Sequence, residues 1–184
     1  MSKLLIIRWW NAVLNVHERC LAIPLEAGGR ILDSLSSGDD LLWPGEQWPP
    51  MILDRGLAPG SCGGHGLIRY KVSEYVPGRR VEFEFRPMAG SRLRTFRGRH
   101  YFEVLSRGEQ VLLRHTIDVD TDFATWVQWK LVIEHLHDAL LEDAFDKAER
   151  KACLPAPHRS AWPLRVRFLR WMVRRQSART PQPS

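Results

Sequence analysis

Cysteine is scarce in this chain of 184 residues: Cys20, Cys62 and Cys153 are odd in number, far apart and never in a C-x-x-C arrangement. A disulfide framework and a thiolate zinc site are therefore not expected. Free thiols fit a reducing compartment, so a cytoplasmic location is expected. Long apolar runs are lacking too. No stretch reaches the ~18 uninterrupted apolar residues of a membrane span. The opening run MSKLLIIRWW is broken by Arg8 and precedes no small-residue cleavage site, so no secretory leader is expected. There is no G-x-S-x-G elbow, no glycine-rich phosphate loop and no internal repeat. Serine hydrolase and nucleotide-binding chemistry thus have no support.

Acidic residues are missing from one region only. Eight of the 27 Lys and Arg and none of the 21 Asp and Glu lie in 151–184. Residues 1–150 keep 19 bases against 21 acids, a net of −2 inside a formal charge of +6. A near-neutral body carries no basic footprint, so no nucleic acid is expected as a partner. What the chain does have is a globular share of apolar residues, 44%, and eight tryptophans. Trp joins a large apolar area to one N–H and suits cores and ligand cavities alike.

Along the chain, NAVLNVHERCLA at 11–22 reads as a first strand with loose alternation. Pro24 opens a short helix in PLEAGGRILD, weakened by Gly28-Gly29, and the Trp/Pro segment LLWPGEQWPPM reads as a loop. MILDRGL is a short strand, and the glycine cluster GSCGGHG places His65 in an exposed loop or at a cavity mouth. GLIRYKVSEY and RRVEFEFRP form a hairpin about Pro77-Gly78. Tyr70 is then set against Phe85, Val72 against Phe83 and Glu74 against Val81, all facing inward. RTFRGRHYFEVL and EQVLLRHTIDVD form a second hairpin about Arg107-Gly108. It pairs Val104 with Val111, Phe102 with Leu113 and His100 with His115 on the apolar face. Residues 124–150 are the strongest helix. Trp126, Trp129, Ile133, His137, Leu140, Leu141 and Ala144 fall on one stripe at about 100° per residue. The order is α+β: a curved antiparallel sheet of 6–7 strands, short helices after the first strand, and a long C-terminal helix.

That element order, the Pro24 helix, and the segments GGHGLIRYKVSEYVPGRRVEFEF and LHDALLEDAFDKA resemble the START-like superfamily, the SRPBCC or helix-grip fold, in its polyketide cyclase/dehydrase-like branch. The resemblance covers residues 11–150. It implies a sheet wrapped on the last helix and a cavity between them for lipids, polyketides or other apolar molecules. Members range from carriers to cyclases, so the resemblance implies a fold and a cavity but no reaction. No cofactor is implied.

The expected function is binding of a small apolar or aromatic molecule. Tyr70, Val72, Phe83, Phe85, Phe102, Leu113, Trp126, Trp129, Ile133, His137 and Leu140 line its site. His100, His115 and His137 converge on one face, an arrangement that suits proton transfer near neutral pH, three-histidine metal ligation, or buried hydrogen-bonded core positions. A cofactor-free cyclase or dehydratase would use one of them as base, with Tyr70 polarising a carbonyl. A third reading is an adaptor built on the tail. Pro155, Pro157 and Pro163 bracket a linker. Then 163–176 sets Arg167, Arg170 and Arg174 on one stripe beside Leu164, Phe168, Trp171 and Met172. Such a helix suits an anionic membrane surface or docking onto its own domain or a partner. The expected units are a ligand-binding domain, 1–150, and a basic tail, 151–184. The sequence does not indicate an oligomeric state.

Overall fold

The computed structural model describes residues 11–86, 96–154 and 161–177, with side chains to Met172. The opening apolar run, Pro155 and Pro157 of the expected linker, and the final residues ARTPQPS lie outside the described residues. The elements are β1 (Ala12–Leu21), α1 (Leu25–Asp33), β2 (Ile52–Leu53), β3 (Cys62–His65), β4 (Ile68–Val76), β5 (Arg80–Phe85), β6 (Phe96–Arg107) and β7 (Gln110–Thr121). Then come α2 (Phe123–Gln128), a π-helical turn (Trp129–Ile133), α3 (Glu134–Lys151) and α4 (Leu164–Ser177). The seven strands form one antiparallel sheet in the order β1-β7-β6-β5-β4-β3-β2. The α+β class and the long final helix agree with the helix-grip arrangement.

The β4–β5 hairpin keeps Tyr70 opposite Phe85 and Val72 opposite Phe83. Past Val72 the register slips by one residue at a bulge, and Glu74 meets Glu82 while Tyr75 meets Val81. Glu74 therefore leaves the inward face that strict alternation assigned to it. It lies exposed beside Arg80, 3.1 Å from the guanidinium. A single extra residue reverses the side of everything beyond it, which alternation alone does not reveal.

The β6–β7 hairpin turns on two residues, Gly108-Glu109, with Gly108 at φ 63°. Glycine at the first central position is what a tight two-residue turn of this hand requires. The turn centre thus sits one residue later than Arg107-Gly108, and each pair shifts by two. Val104 faces Leu113, Phe102 faces His115 and His100 faces Ile117. His100 and His115 are consequently diagonal neighbours, not an opposed pair. A shift of two preserves the face, so both rings still point inward.

The C-terminal helix starts at Asp122, whose carboxylate accepts from the Thr125 N–H at 2.7 Å. The π turn then adds residues without breaking the axis. The anticipated stripe survives it: Trp129, Leu140, Leu141 and Ala144 are buried, while Trp126, Ile133 and His137 are half-buried. Two apolar clusters result. The larger joins Tyr70, Val72, Phe83, Phe102 and Leu113 of the sheet to Leu140, Leu141 and Phe145 of α3 and to α1. The smaller joins Val13, Ile117, Val119 and Trp129, with half-buried Phe85, Phe96, Trp126 and Ile133 against them. Full burial of each large side chain stabilises by ~1.5–3 kcal/mol.

The Trp/Pro loop is held to α3. Trp48 and Trp162 both donate to Asp143 Oδ2, at 2.8 and 3.0 Å, and Lys147 Nζ donates to the Trp43 carbonyl at 2.7 Å. Helix α4 packs back with Val166 and Leu169 buried. Arg170, set by periodicity on one stripe with Arg167 and Arg174, lies against the Trp48 and Trp162 rings, 4.0 and 3.8 Å from their centroids, as a helix docked on its own domain allows. It also donates to the Gln47 carbonyl at 2.6 Å. A guanidinium stacks on aromatic faces as readily as it faces water. Arg174 lies beyond the described side chains. Among the described residues no helix is long and apolar enough to cross a membrane.

Candidate functional site

The two apolar clusters are separated by a belt of polar rings. His100 touches Phe83 of the larger cluster at 4.8 Å between centroids and Phe85 of the smaller side at 4.9 Å. His115 packs on Phe102 at 4.5 Å and on His137 at 5.1 Å, and His137 reaches Trp129 at 5.7 Å. His100 Nδ1 and His115 Nε2 are 3.3 Å apart. The structure thus brings together the three histidines that alternation and helical periodicity assign to one interior. The other ring nitrogens of the pair, His100 Nε2 and His115 Nδ1, are buried without a hydrogen-bond partner, as are His137 Nδ1 and the Trp129 indole N–H.

Burial is the main force on these rings. It drives the pKa of His100 and His115 well below the usual histidine value, and the neighbouring histidines add to the shift. Burial also lowers His137, against the opposing pull of Asp138. All three are therefore neutral imidazoles at pH 7, each with one donor and one acceptor nitrogen.

Tyr70 is fully buried and touches both Phe83 and His100 at 5.0 Å. Its hydroxyl lies 3.2 Å from His65 Nδ1. Burial raises the Tyr70 pKa well above 10, which keeps the phenol a donor. His65 is accordingly not an exposed loop residue. It ends β3, rests on Trp43 at 4.7 Å, and burial lowers its pKa to about 3. Glycines at 63 and 64 make this strand possible. A Cβ on either would lie 1.9 Å from a neighbouring carbonyl oxygen, so a glycine-rich run that reads as loop is a strand squeezed between two others. A depression of about 490 Å³ outside this belt is lined by Asp40, Trp43, Glu46, Met51 and Lys147, among others.

Of the anticipated lining residues, Tyr70, Val72, Phe83, Phe102, Leu113 and Leu140 lie in the larger cluster, whereas Phe85, Trp126, Trp129 and Ile133 belong to the smaller one. The half-buried members Phe85, Phe96, Trp126 and Ile133 form the more accessible apolar wall. Phe85 and Phe96 meet edge to face at 4.7 Å, and Phe96 stacks near Trp129 at 5.8 Å.

A second polar group escaped the sequence reading. The inward side of β1 carries Asn15, His17 and Arg19 between Val13 and Leu21. These face acids on α3. Asn15 Nδ2 donates to Asp138 Oδ1 at 3.2 Å, and His17 Nε2 lies 3.0 Å from the same oxygen. Arg19 contacts Glu142, Asp146 and Glu149 at 2.7, 3.3 and 2.7 Å. One ligand atom from each of His17, His137 and Asp138 lies within 4.8 Å of the others. Burial acts to raise Asp138, but hydrogen bonds from His17 and Asn15, with the His137 ring close by, outweigh it and hold the carboxyl below the ordinary range. The polar centre of β1 explains its loose alternation, and the spacing 138, 142, 146 was the available signal for its partner.

No family model matches the sequence, and no curated protein matches it. Solved structures do. The chain is similar to a protein from Thermobifida fusca (TM-score 0.59, 17% identity, 82% of this chain and 99% of that one). It is also similar to CalU16 from Micromonospora echinospora (TM-score 0.54, 13% identity, 91% and 88%). An HSP90 activator from Plasmodium falciparum, PFC0360w, matches as well (TM-score 0.55, 11% identity, 77% and 97%). At these identities the likeness is one of fold.

Proposed function

We propose that this chain binds a small, mainly apolar or aromatic molecule carrying at least one hydrogen-bonding oxygen, between the sheet and the C-terminal helix. One observation carries the reading: buried donor and acceptor atoms without partners, His100 Nε2, His115 Nδ1 and the Trp129 N–H, lie in a belt between two apolar clusters. A buried polar group without a partner costs ~1–3 kcal/mol, and a ligand oxygen offsets that cost. Phe85, Phe96, Trp126 and Ile133 supply the half-open apolar wall for its body. The π turn beside them fits the reading, because such turns recur at functional sites. The polyketide cyclase/dehydrase branch of the helix-grip superfamily is part of the same proposal.

Native mass spectrometry of the purified protein and titration with 1-anilinonaphthalene-8-sulfonate test it. Expected are a co-purified molecule or saturable one-to-one dye binding, and weaker binding by Trp129→Phe, which keeps the ring and removes the N–H. Bare protein together with non-saturable dye binding defeats the reading.

A second reading rests on the neutral imidazoles. His100, His115 or His137 has the protonation state of a general base at pH 7, and the Tyr70 phenol that of a donor to a carbonyl. Cyclisation or dehydration without a cofactor then becomes the chemistry of the same site. It requires turnover of a bound polyketide-like substrate that His100→Phe abolishes while the substrate still binds. The basic helix α4 offers a separate surface: Leu164, Phe168 and Trp171 are exposed beside Arg165 and Arg167. Co-sedimentation with phosphatidylserine vesicles, lost in a Phe168→Ser/Trp171→Ser variant, is the outcome expected of an interfacial helix.

A further inference from the structure

The seam between β1 and α3 meets the ring belt at His137, and we propose that His17, His137 and Asp138 hold a divalent transition-metal ion, with zinc as the reference case. The donors come from two elements, and one ligand atom of each lies within 4.8 Å of the rest. Two ligands ~2.1 Å from a tetrahedral zinc stand ~3.4 Å apart. The observed separations from Asp138 Oδ1 straddle that value, 3.0 Å to His17 Nε2 and 3.8 Å to His137 Nδ1. The third separation, between the two imidazoles, is within 4.8 Å, so closure around an ion draws the rings of His17 and His137 toward each other.

An ordinary hydrogen bond between His17 and Asp138 explains the shorter of these contacts. It leaves His137 Nδ1 unexplained, a nitrogen shut off from solvent with no hydrogen-bond partner. A neutral imidazole nitrogen aimed at a carboxylate, too far to bond it, is what a cation between the two requires.

The surroundings fit as well. The other nitrogen of His17 lies 3.8 Å from Glu142 Oε1, and Glu142 is itself held by Arg19 at 2.7 Å. A carboxylate behind a ligating imidazole is the usual device that fixes its ring and tautomer. Asn15 orients the Asp138 carboxylate through its amide. The side chains of His17 and His137 are 15% and 14% exposed, and that of Asp138 41%, so an ion enters from the carboxylate side. Two imidazoles and one carboxylate leave a coordination position for water, the pattern of an open site and not of a closed structural one.

The test uses the full chain, stripped with EDTA and titrated with Zn²⁺ by calorimetry and with Co²⁺ by visible absorption. One equivalent of each ion is expected, with a Co²⁺ band of four- or five-coordinate intensity. His17→Ala and Asp138→Asn are expected to weaken Zn²⁺ binding at least tenfold, and His135→Ala to leave it unchanged. Asp138→Asn keeps the size of the side chain, and Tm with and without Zn²⁺ gives a readout free of refolding losses: a rise in the parent chain and none in the variant. Absence of saturable one-to-one binding overturns the site, and so does undiminished binding by both variants. Dye binding in the ring belt is expected to survive EDTA, which separates failure here from failure of the ligand-binding reading.

Discussion

His65 and His100 are held neutral by burial, and the sign of the resulting pH dependence follows directly. Their folded pKa values lie below the unfolded value, His65 at about 3 and His100 lowered by burial. Between the two values the unfolded chain binds more protons, so stability is full above pH ~6.5 and falls as pH drops through that point. The His65 ring removes about 2 kcal/mol between pH 7 and pH 5, and His100 adds a loss of the same sign. Urea unfolding at the two pH values is expected to show this loss, and His100→Phe to recover part of it; a pH-independent midpoint refutes the assignment. At this scale the inward histidines 100, 115 and 137 were legible, because alternation and helical periodicity assign a face without knowing the register. His17 and His65 were not. The first sits on a strand face whose polar middle is neutralised only by acids more than a hundred residues away, and the second in a glycine run whose role is close strand approach.

The elements carry their own tests. Gly28 and Gly29 weaken α1 by ~1 kcal/mol each in propensity, yet the helix needs them bare. A Cβ on Gly29 would sit 2.9 Å from the backbone of Gly78, and one on Gly28 2.8 Å from Val111. Overpacking costs ~1–3 kcal/mol and outweighs the propensity gained. Gly29→Ala is expected to lower stability by about 1 kcal/mol or more in urea unfolding; a stabilised variant shows that the contact yields. The π turn is the other test. Leu131 is 57% exposed, so deleting it returns the turn toward α-helical phase at little direct packing cost. The deletion replaces the wide i→i+5 turn with an ordinary α-helical one, keeps α2 and α3 close to their present phase, and takes Trp129, which opens the turn, out of its π geometry. Dye binding is expected to fall severalfold while far-ultraviolet circular dichroism is retained; unchanged binding dissociates the turn from the site. Hairpins were legible as pairs of elements, and their faces too. Their registers were legible in part: Tyr70 with Phe85 and Val72 with Phe83 hold, but a bulge past Val72 shifts the pairs beyond it by one, and Gly108 at positive φ moves the β6–β7 turn by one residue. The π turn leaves no periodic trace, because the stripe on either side of it stays apolar.

At the scale of the molecule, the fold was legible because every strong signal pointed one way: antiparallel hairpins, apolar faces that coincide, and one long amphipathic helix at the end. The place of the tail was legible only as alternatives, a membrane surface, its own domain or a partner, for a stripe of arginines fits all three until an aromatic slot is known. Arg170 fills that slot between Trp48 and Trp162, with Val166 at 6% and Leu169 at 5% exposure beside it. Burying two aliphatic side chains contributes about 3–6 kcal/mol on an extended-chain reference, and a compact unfolded state trims that by 10–40%. The ordering of α4 is offset in the main by its own helical hydrogen bonds and by the Arg170 contacts, and a net of about 2–3 kcal/mol is expected. A chain ending at Leu154 loses this packing together with the Trp162 hydrogen bond to Asp143. Its Tm is expected to fall by roughly 4–12 °C at ~2–4 °C per kcal/mol, and Leu169→Ala in the full chain to reproduce about half of the drop. If the shortened chain melts with the parent, the arginine between the tryptophans is a resting place and not a bond, and α4 is free to leave the body for a surface elsewhere.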